Sequence, residues 1–253
     1  MPYAICEVRR LGLVPYAEAW ELQKDLAARR AADEILDTLL LLEHPHTYTL
    51  GRSGRAENLL LDEAQLIARR IEVHWVDRGG DITYHGPGQL VGYPILKLGR
   101  PQFAEDGQLL RADYVGHVRR IEETLIRVLA RFGLVAGQVP GLTGVWIQPD
   151  VASRCPHCPP AARLAPSKIA AIGVKVDARG VSQHGFALNV NPDMSYWDGI
   201  VGCGLPDHAS ISMADLLGDA LLSDGRRTME VVMDEVVKQF GKVFERETRE
   251  RIA

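Results

Sequence analysis

Two apolar runs around one short polar turn constrain this chain more than any other feature. The first reads Lys168-Ile169-Ala170-Ala171-Ile172-Gly173-Val174-Lys175-Val176, and the second Ser182-Gln183-His184-Gly185-Phe186-Ala187-Leu188-Asn189-Val190. Both have strand length, and Asp177 to Gly180 supplies turn residues, so the stretch predicts a β-hairpin. A hairpin brings its open ends together. Lys168 and the chain leaving Asn189 therefore converge, and that outgoing chain soon reaches Gly202-Cys203-Gly204. An ammonium beside a thiol favours the thiolate, and flanking glycines leave a substrate room to reach sulfur. The residues alone support two readings: an activated cysteine, or a core strand pair followed by an ordinary loop cysteine.

With 253 residues, 46% of them apolar, the chain is expected to form one domain over 1–253, with an irregular insert at about 148–167. Periodicity predicts a strand from Ala4 to Arg9, a helix from Pro15 to about Arg30, and a buried strand from Asp37 to Leu42. A short helix from Asp62 to Arg70 and a strand from Glu72 to Val76 follow. Further on come a helix from Arg111 to Phe132, a strand from Thr143 to Ile147, a short helix from Ser212 and a long one from Thr228 to Glu247. Strands crowd the middle and long helices sit early, centrally and late. That order predicts an α+β fold, a mixed or mostly antiparallel sheet with helices packed on it.

The net charge of −4 gives no global attraction to nucleic acid or to an anionic membrane. No long apolar run follows Glu7, Arg9 and Arg10, and no segment has the length to cross a bilayer. Four cysteines are too few and too scattered for a disulfide scaffold. A cytoplasmic soluble protein is the expectation. No Walker A motif occurs, and Gly79-Gly80 does not fit the dinucleotide fingerprint, so no cofactor is expected.

A second dense stretch runs Arg78-Gly79-Gly80-Asp81-Ile82-Thr83-Tyr84-His85-Gly86-Pro87-Gly88-Gln89. Strand formers sit between its glycines, and the glycines expose backbone to a ligand. It reads as a binding loop or as a tight hairpin. Asp81 reads as part of that loop or as a solvated carboxylate. Of the histidines, His85 and His184 lie inside these stretches and are favoured for site roles. His44 and His46 are weaker candidates. Cys155-Pro156-His157-Cys158, in the proline-rich insert, leaves three possibilities: a reduced or disulfide-closed loop, a zinc site completed by a distant ligand, or redox control.

Together these segments resemble one family. The Arg78 to Gln89 stretch, Thr143-Gly144-Val145-Trp146, Lys168-Ile169-Ala170-x-Ile172-Gly173, His184-Gly185-Phe186-Ala187-Leu188-Asn189 and Cys203-Gly204 resemble lipoyl(octanoyl) transferases, as do Glu43-His44-Pro45 and Tyr48-Thr49-Leu50-Gly51-Arg52. The resemblance covers about Glu43 to Leu205. It implies the fold of lipoate and biotin protein ligase catalytic domains. It also implies transfer of octanoate from octanoyl-acyl carrier protein to a lysine of lipoyl domains, those of 2-oxoacid dehydrogenase complexes and the glycine cleavage H protein. Carried over by position, Cys203 is the acyl-thioester nucleophile and Lys168 its partner. The substrate-binding segments fall on Arg78, Gly79, Gly80, Asp81, Ile82, Thr83, Tyr84 and His85, on Ala171, Ile172 and Gly173, and on Gly185, Phe186 and Ala187.

Two departures stand out: Gly202 where proline is common, and a longer insert before Lys168. Ile172, Phe186, Leu188 and Tyr84 are expected to line an octanoyl slot. Backbone N–H groups near Gly204 or in the Gly79-Gly80 turn are candidates for an oxyanion site. Arg29, Arg30, Arg52, Arg55, Arg69, Arg70, Arg119 and Arg120 are candidates for a rim that receives an acidic carrier protein. An ATP-dependent lipoate ligase is the nearest rival, but it has no need of a nucleophilic cysteine. A binding module without chemistry needs neither Lys168 nor Cys203.

Overall fold

A computed structural model describes residues 3–98, 102–103, 109–110, 113–218 and 228–251. In chain order the elements are β1 (Ala4–Leu13), α1 (Tyr16–Ala31), β2 (Asp37–Glu43), β3 (Thr47–Leu50), α2 (Glu63–Ala68), β4 (Glu72–Trp75) and β5 (Ile82–His85). Next come β6 (Gln89–Ile95), β7 (Gln102–Phe103), β8 (Leu109–Leu110), α3 (Tyr114–Arg131), β9 (Gly137–Val139), β10 (Leu142–Ile147) and α4 (Pro149–Ala152). The last are β11 (Ser167–Val176), β12 (Ser182–Asn189), α5 (Met213–Leu217), α6 (Thr228–Val243) and β13 (Arg246–Glu250).

The large sheet is ordered β13-β1-β2-β6-β12-β11-β10-β9, and a smaller one β4-β3-β5. β13, β1 and β2 run parallel. The ladders from β2 through β9 are antiparallel. This is the mixed-sheet α+β fold expected. β2 shows why an unbroken apolar run belongs at the centre. Leu39 and Leu41 join the core under α3 and α6, while Leu40 and Leu42 join the one under α1. A strand covered on both faces needs no alternation. Among the described residues no helix is long and apolar enough to cross a membrane.

The hairpin forms as predicted. Val174 pairs with His184, Gly173 with Gly185 and Ala171 with Ala187. At its turn the Asp177 carboxylate accepts from the N–H of Arg179 and of Val181 at 2.9 and 3.0 Å. At its open end Lys168 donates its N–H to Ala209 O and accepts from Ile211 N. The chain approaching α5 therefore lies against the start of β11.

Several boundaries differ from expectation. β1 continues to Leu13 because its second half keeps pairing with β2, through a register shift between Arg10 and Gly12. The central helix starts at Tyr114, where the Asp113 carboxylate caps Gly116 N at 2.8 Å; Arg111 lies outside the described residues. The last helix stops at Val243. Glu245, at φ 54°, turns the chain so that 246–250 becomes an edge strand beside β1. Its sequence, Arg-Glu-Thr-Arg-Glu, carries no apolar alternation, so pattern alone missed it. In the insert, Cys155 and Cys158 are joined in a disulfide with Cα atoms 5.5 Å apart. Among the described residues no group of three His, Cys, Asp or Glu side chains is placed to hold a metal.

Candidate active site

Lys168 and Cys203 line one cavity of about 220 Å³, at the junction of the large sheet, the small sheet and α1. Cys203 sits at the apex of a 3-10 turn, Gly202–Gly204, with φ 57°. A non-glycine residue in this left-handed region stores strain of about 1–3 kcal/mol, and such strain gathers at functional sites. The turn is held by Gly204 N to Val201 O at 2.9 Å and Val201 N to Asn58 O at 2.8 Å. Gly202 packs flat on Trp197, where a Cβ would stand 3.1 Å from the ring.

Asp81 docks this turn onto the start of β5. Its carboxylate accepts from Arg55 N at 3.1 Å, Ile82 N at 2.7 Å and Asn58 Nδ2 at 2.6 Å. A Cβ on Gly204 would lie 2.7 Å from its Oδ2. Asp81 is thus an organiser of the Cys203 loop, not a solvated charge.

The cavity holds two cations without a carboxylate partner among the described residues. Lys168 is 7% exposed and lies over the Trp146 ring, 4.7 Å from its centroid. A desolvated cation–π contact of this kind contributes about 2 kcal/mol. Its ammonium makes no ion pair among the described residues. Arg78, equally buried, donates through Nη2 to Thr49 O at 2.6 Å and through Nη1 to Gly79 O at 2.9 Å. Burial lowers its pKa, and the neighbouring Tyr16 and Cys203 side chains, when anionic, raise it. Gly173 lets the guanidinium stem pass: a Cβ there would stand 3.0 Å from Arg78 Cδ. Two unpaired buried cations favour whatever negative charge arrives or develops between them.

The β period sorts the rest of the glycine-rich segment. Thr83 and His85 line the cavity. Ile82 and Tyr84 point the other way, into a cluster with Tyr48 and Ile200. There Tyr84 accepts or donates at His46 Nδ1, 2.9 Å away. Gly80 and Asp81 line the cavity, whereas Gly79 borders an adjoining recess under Tyr114 and Val118. Ala171, Ile172 and Gly173 on β11 and Gly185, Phe186 and Ala187 on β12 all line it. Leu188 packs instead in the core under α3. The N–H groups of Gly204 and Gly79 are spent on Val201 O and Val174 O, so neither is a free oxyanion donor.

Gln89 and Asn189 hold this frame together. Gln89 Oε1 meets His85 Nδ1 at 2.9 Å, and Gln89 Nε2 donates to Asn189 Oδ1 at 2.9 Å. Asn189 Nδ2 donates to Ile211 O at 3.0 Å, whose own N–H reaches Lys168 O. One relay of amides therefore fixes both His85 and the Lys168 strand. Burial pushes the His85 pKa well down, so the imidazole is neutral.

Sequence reasoning missed Tyr16, Tyr93, Leu142 and Leu205, all of which line the cavity. Tyr16 opens α1, far away in the chain, and only the fold stacks it on His85, centroids 5.8 Å apart. His184, favoured only by its motif, also lines it. Its Nε2 meets Asp77 Oδ1 at 2.8 Å, and its φ is 56°. The bond from His184, with that from Lys175, holds the Asp77 carboxyl well below the usual range.

Comparison with known proteins follows the same geometry. Residues 15–244 match the family model of the lipoyl protein ligase A/B catalytic domain. The octanoyltransferase of Chloroflexus aurantiacus is 45% identical over 242 residues, covering 96% of this chain and 95% of its own. That of Acidobacterium capsulatum is 44% identical over 240 residues, covering 95% and 90%. Among solved structures, a bi-partite lipoate protein ligase from Thermoplasma acidophilum superposes with a TM-score of 0.64 at 15% identity, covering 100% of this chain and 88% of its own. A lipoate-protein ligase A bound with ATP gives 0.63 at 14%, covering 99% and 90%. The two structures, at such low identity, speak for the fold. The family model and the full-length relatives carry the assignment: this chain belongs to the lipoyl protein ligase A/B catalytic-domain family, in its octanoyltransferase branch.

Proposed function

We propose that this chain moves an octanoyl group from octanoyl-acyl carrier protein to a lysine of a lipoyl domain, through a thioester on Cys203. The acceptors are the lipoyl domains of 2-oxoacid dehydrogenase complexes and the glycine cleavage H protein. The observation that supports this most is a free cysteine and an unpaired buried lysine lining one cavity. An ATP-dependent ligase needs no such nucleophile, and a binding module needs neither residue.

The reaction divides into two steps. Cys203 thiolate attacks the thioester carbonyl, and the tetrahedral oxyanion forms beside Arg78 and Lys168. The old C–S bond breaks, and the carrier's thiolate leaves with a proton from the Lys168 ammonium. Lys168 is then a neutral amine beside an uncharged thioester. The acceptor lysine enters neutral and attacks the same carbonyl. Its proton passes to Lys168, the amide forms and Cys203 leaves as thiolate, which returns both groups to the form that opened the cycle. Thioester-to-thioester exchange is close to isoenergetic, so the first step is reversible. This chemistry needs a reduced Cys203, which a compartment such as the cytoplasm maintains.

Intact mass tests the intermediate. Mixing with octanoyl-acyl carrier protein is expected to add one octanoyl group that hydroxylamine removes and that maps to Cys203. An adduct that persists at the wild-type level in Cys203→Ala would rule the intermediate out.

Docking rests on the rim. Arg29, Arg30, Arg119 and Arg120 are each held by a neighbouring carboxylate. Arg52, Arg55, Arg69 and Arg70 are exposed and carry no ion pair among the described residues. Arg55 lies next to the Cys203 turn through Asp81. We expect the Arg52→Glu, Arg55→Glu double variant to raise KM for the carrier protein about tenfold at low salt, with the difference shrinking at high salt. An unchanged KM at low salt would discard this surface.

A further inference from the structure

We propose that Asn58 is a positioning residue for Cys203: paired with Asp81, it holds the strained reactive turn in register with the Arg78 segment. The inference rests on the octanoyl-transfer reading and adds the residue that aims the nucleophile.

The turn needs a hold from outside. Cys203 and Gly204 are consecutive left-handed residues, at φ 57° and 68°. A cysteine in that region costs about 1–3 kcal/mol and persists only where its surroundings over-determine it. Two of the turn's bonds, Gly204 N to Val201 O and Leu205 N to Gly202 O, are internal and travel with it. Asn58 supplies the external hold. Its carbonyl accepts from Val201 N at 2.8 Å, and its side-chain amide donates to Asp81 Oδ2 at 2.6 Å. That pair is the floor on which Gly204 rests. A Cβ on Gly204 would stand 2.7 Å from Asp81 Oδ2 and 3.4 Å from Asn58 Nδ2.

Asn58 is itself fixed by the same carboxylate. Asp81 Oδ1 accepts from Arg55 N at 3.1 Å while Oδ2 accepts from Asn58, so one carboxylate closes both ends of the 3-10 turn Ala56–Asn58. The segment from 51 to 60 then bonds to both halves of the site. At its start Arg52 N donates to Arg78 O at 2.9 Å and Ser53 N to Gly80 O at 3.1 Å. At its end Leu60 N donates to Gly199 O at 2.9 Å, and Leu59 bridges Ile200. The segment therefore ties the chain that carries Cys203 to the chain that carries Arg78, and the Asn58–Asp81 bond locks the two together. A reacting atom displaced by about 1 Å costs about 10²-fold in rate.

The test is a reciprocal swap, read as the single-turnover rate of Cys203 acylation at saturating octanoyl-acyl carrier protein, so that docking strength drops out. Asn58→Asp sets two carboxylates face to face and is expected to slow acylation about 10²-fold. Adding Asp81→Asn restores the bond with its direction reversed. The new amide keeps its oxygen on Arg55 N and Ile82 N and donates to the new carboxylate at position 58. This double variant is expected to recover to within about tenfold of wild type. Adding Glu57→Gln to Asn58→Asp instead restores the net charge without the bond and is expected to stay slow. Iodoacetamide gives a second readout that needs no carrier. Cys6 is fully buried and Cys155 is joined to Cys158, so one added mass reports Cys203. Its rate is expected to stay within about threefold of wild type in every variant, because alkylation has no oxyanion to align. Acylation by Asn58→Asp within twofold of wild type overturns the proposal. So does a swap that recovers nothing, a recovery by Glu57→Gln equal to that of the swap, or alkylation that falls as far as acylation. Should Asn58→Asp not fold, Asn58→Ala, which removes the amide without adding charge, carries the same expectation. No acyl adduct on wild type is a different result: it overturns the acyl-enzyme reading, and this inference with it.

Discussion

Lys168→Ala is expected to lower kcat for octanoyl transfer by about 10²–10⁴-fold, the span that a positioned proton donor and acceptor contributes. The variant loses both half-reactions. Acylation slows because no ammonium stabilises the oxyanion or protonates the departing thiolate. Transfer slows because nothing takes the proton of the attacking amine. Lys168→Arg separates the two roles. A guanidinium keeps the charge but does not act as a base near neutral pH. It is therefore expected to retain part of Cys203 acylation and to lose transfer to the lipoyl domain. Lys168→Met controls for packing, because an unbranched side chain still covers Trp146, which is fully buried beneath the ammonium. It is expected to match the wild-type Tm and to remain as slow as Lys168→Ala. Single-turnover rates for each half-reaction decide the matter. If Lys168→Ala acylates and transfers at near wild-type rates, the residue merely starts a strand.

Arg78 sets a limit on how much of that loss falls on Lys168 alone. The guanidinium stays in the cavity in every Lys168 variant, bonded to Thr49 O, Thr49 Oγ1 and Gly79 O. Its charge continues to favour the thiolate and the oxyanion. Residual acylation in Lys168→Ala is therefore expected to fall further in the Lys168→Ala, Arg78→Leu double variant, and the coupling between the two is the quantity that a double-mutant cycle measures.

What could be read from the sequence was local in origin. The hairpin announces itself through period and turn chemistry, and its open end carries Lys168 toward the chain that leads to Cys203, although Asn58 and Asp81 fix where that turn sits. The α+β class follows from element order. The glycine-rich segment was visible as a ligand-binding stretch, but its facing was not. In four-residue β5, Ile-Thr-Tyr-His, the period of two separates Thr83 and His85 from Ile82 and Tyr84, but both faces are buried, so the pattern does not tell which pair meets the ligand. Tyr16 and Tyr93 reach the cavity through packing of α1 on β6 and β12, a long-range event that leaves no local trace. Asp81 read equally as a loop member or a solvated carboxylate, because its three donors, Arg55, Asn58 and its own neighbour's N–H, are assembled by a loop with no periodic signal. β13 was missed for a related reason. An edge strand that pairs through its backbone with β1 needs no apolar pattern of its own.

Stability toward unfolding is expected to fall by at least about 4 kcal/mol between pH 7 and pH 5: His44 and His117, neutral and buried where a proton cannot follow, set that floor, and the lowered His85, His184 and His46 add loss in the same direction. His44 and His117 are both 0% exposed. Burial pushes each down to about 4 from an ordinary value of 6.5. The Val14 carbonyl at His44 and Asp113 near His117 oppose that shift without cancelling it. The sign follows from proton counting. Above 6.5 neither state binds a proton and stability is whole. Below 6.5 the unfolded chain takes up protons that the folded chain refuses, so each step down in pH favours unfolding until the folded value is reached. At pH 5 each group has cost about 2 kcal/mol on this reckoning. Asp77 is held low rather than high, so its contribution is lost only as pH falls below the ordinary carboxyl value of 3.8 and does not enter this window. Denaturant unfolding at pH 7, 6 and 5 measures the slope. His117→Leu isolates the share of one ring. Neither ring nitrogen of His117 has a hydrogen-bond partner among the described residues, and the ring packs edge-on against Phe244 at 5.7 Å. Leucine therefore removes no bond seen among the described residues, holds or raises stability at pH 7, and is expected to take about 2 kcal/mol off the loss at pH 5. A wild-type stability that stays flat from pH 7 to 5, or a His117→Leu variant that keeps the whole loss, would show that protons reach these rings in the folded state.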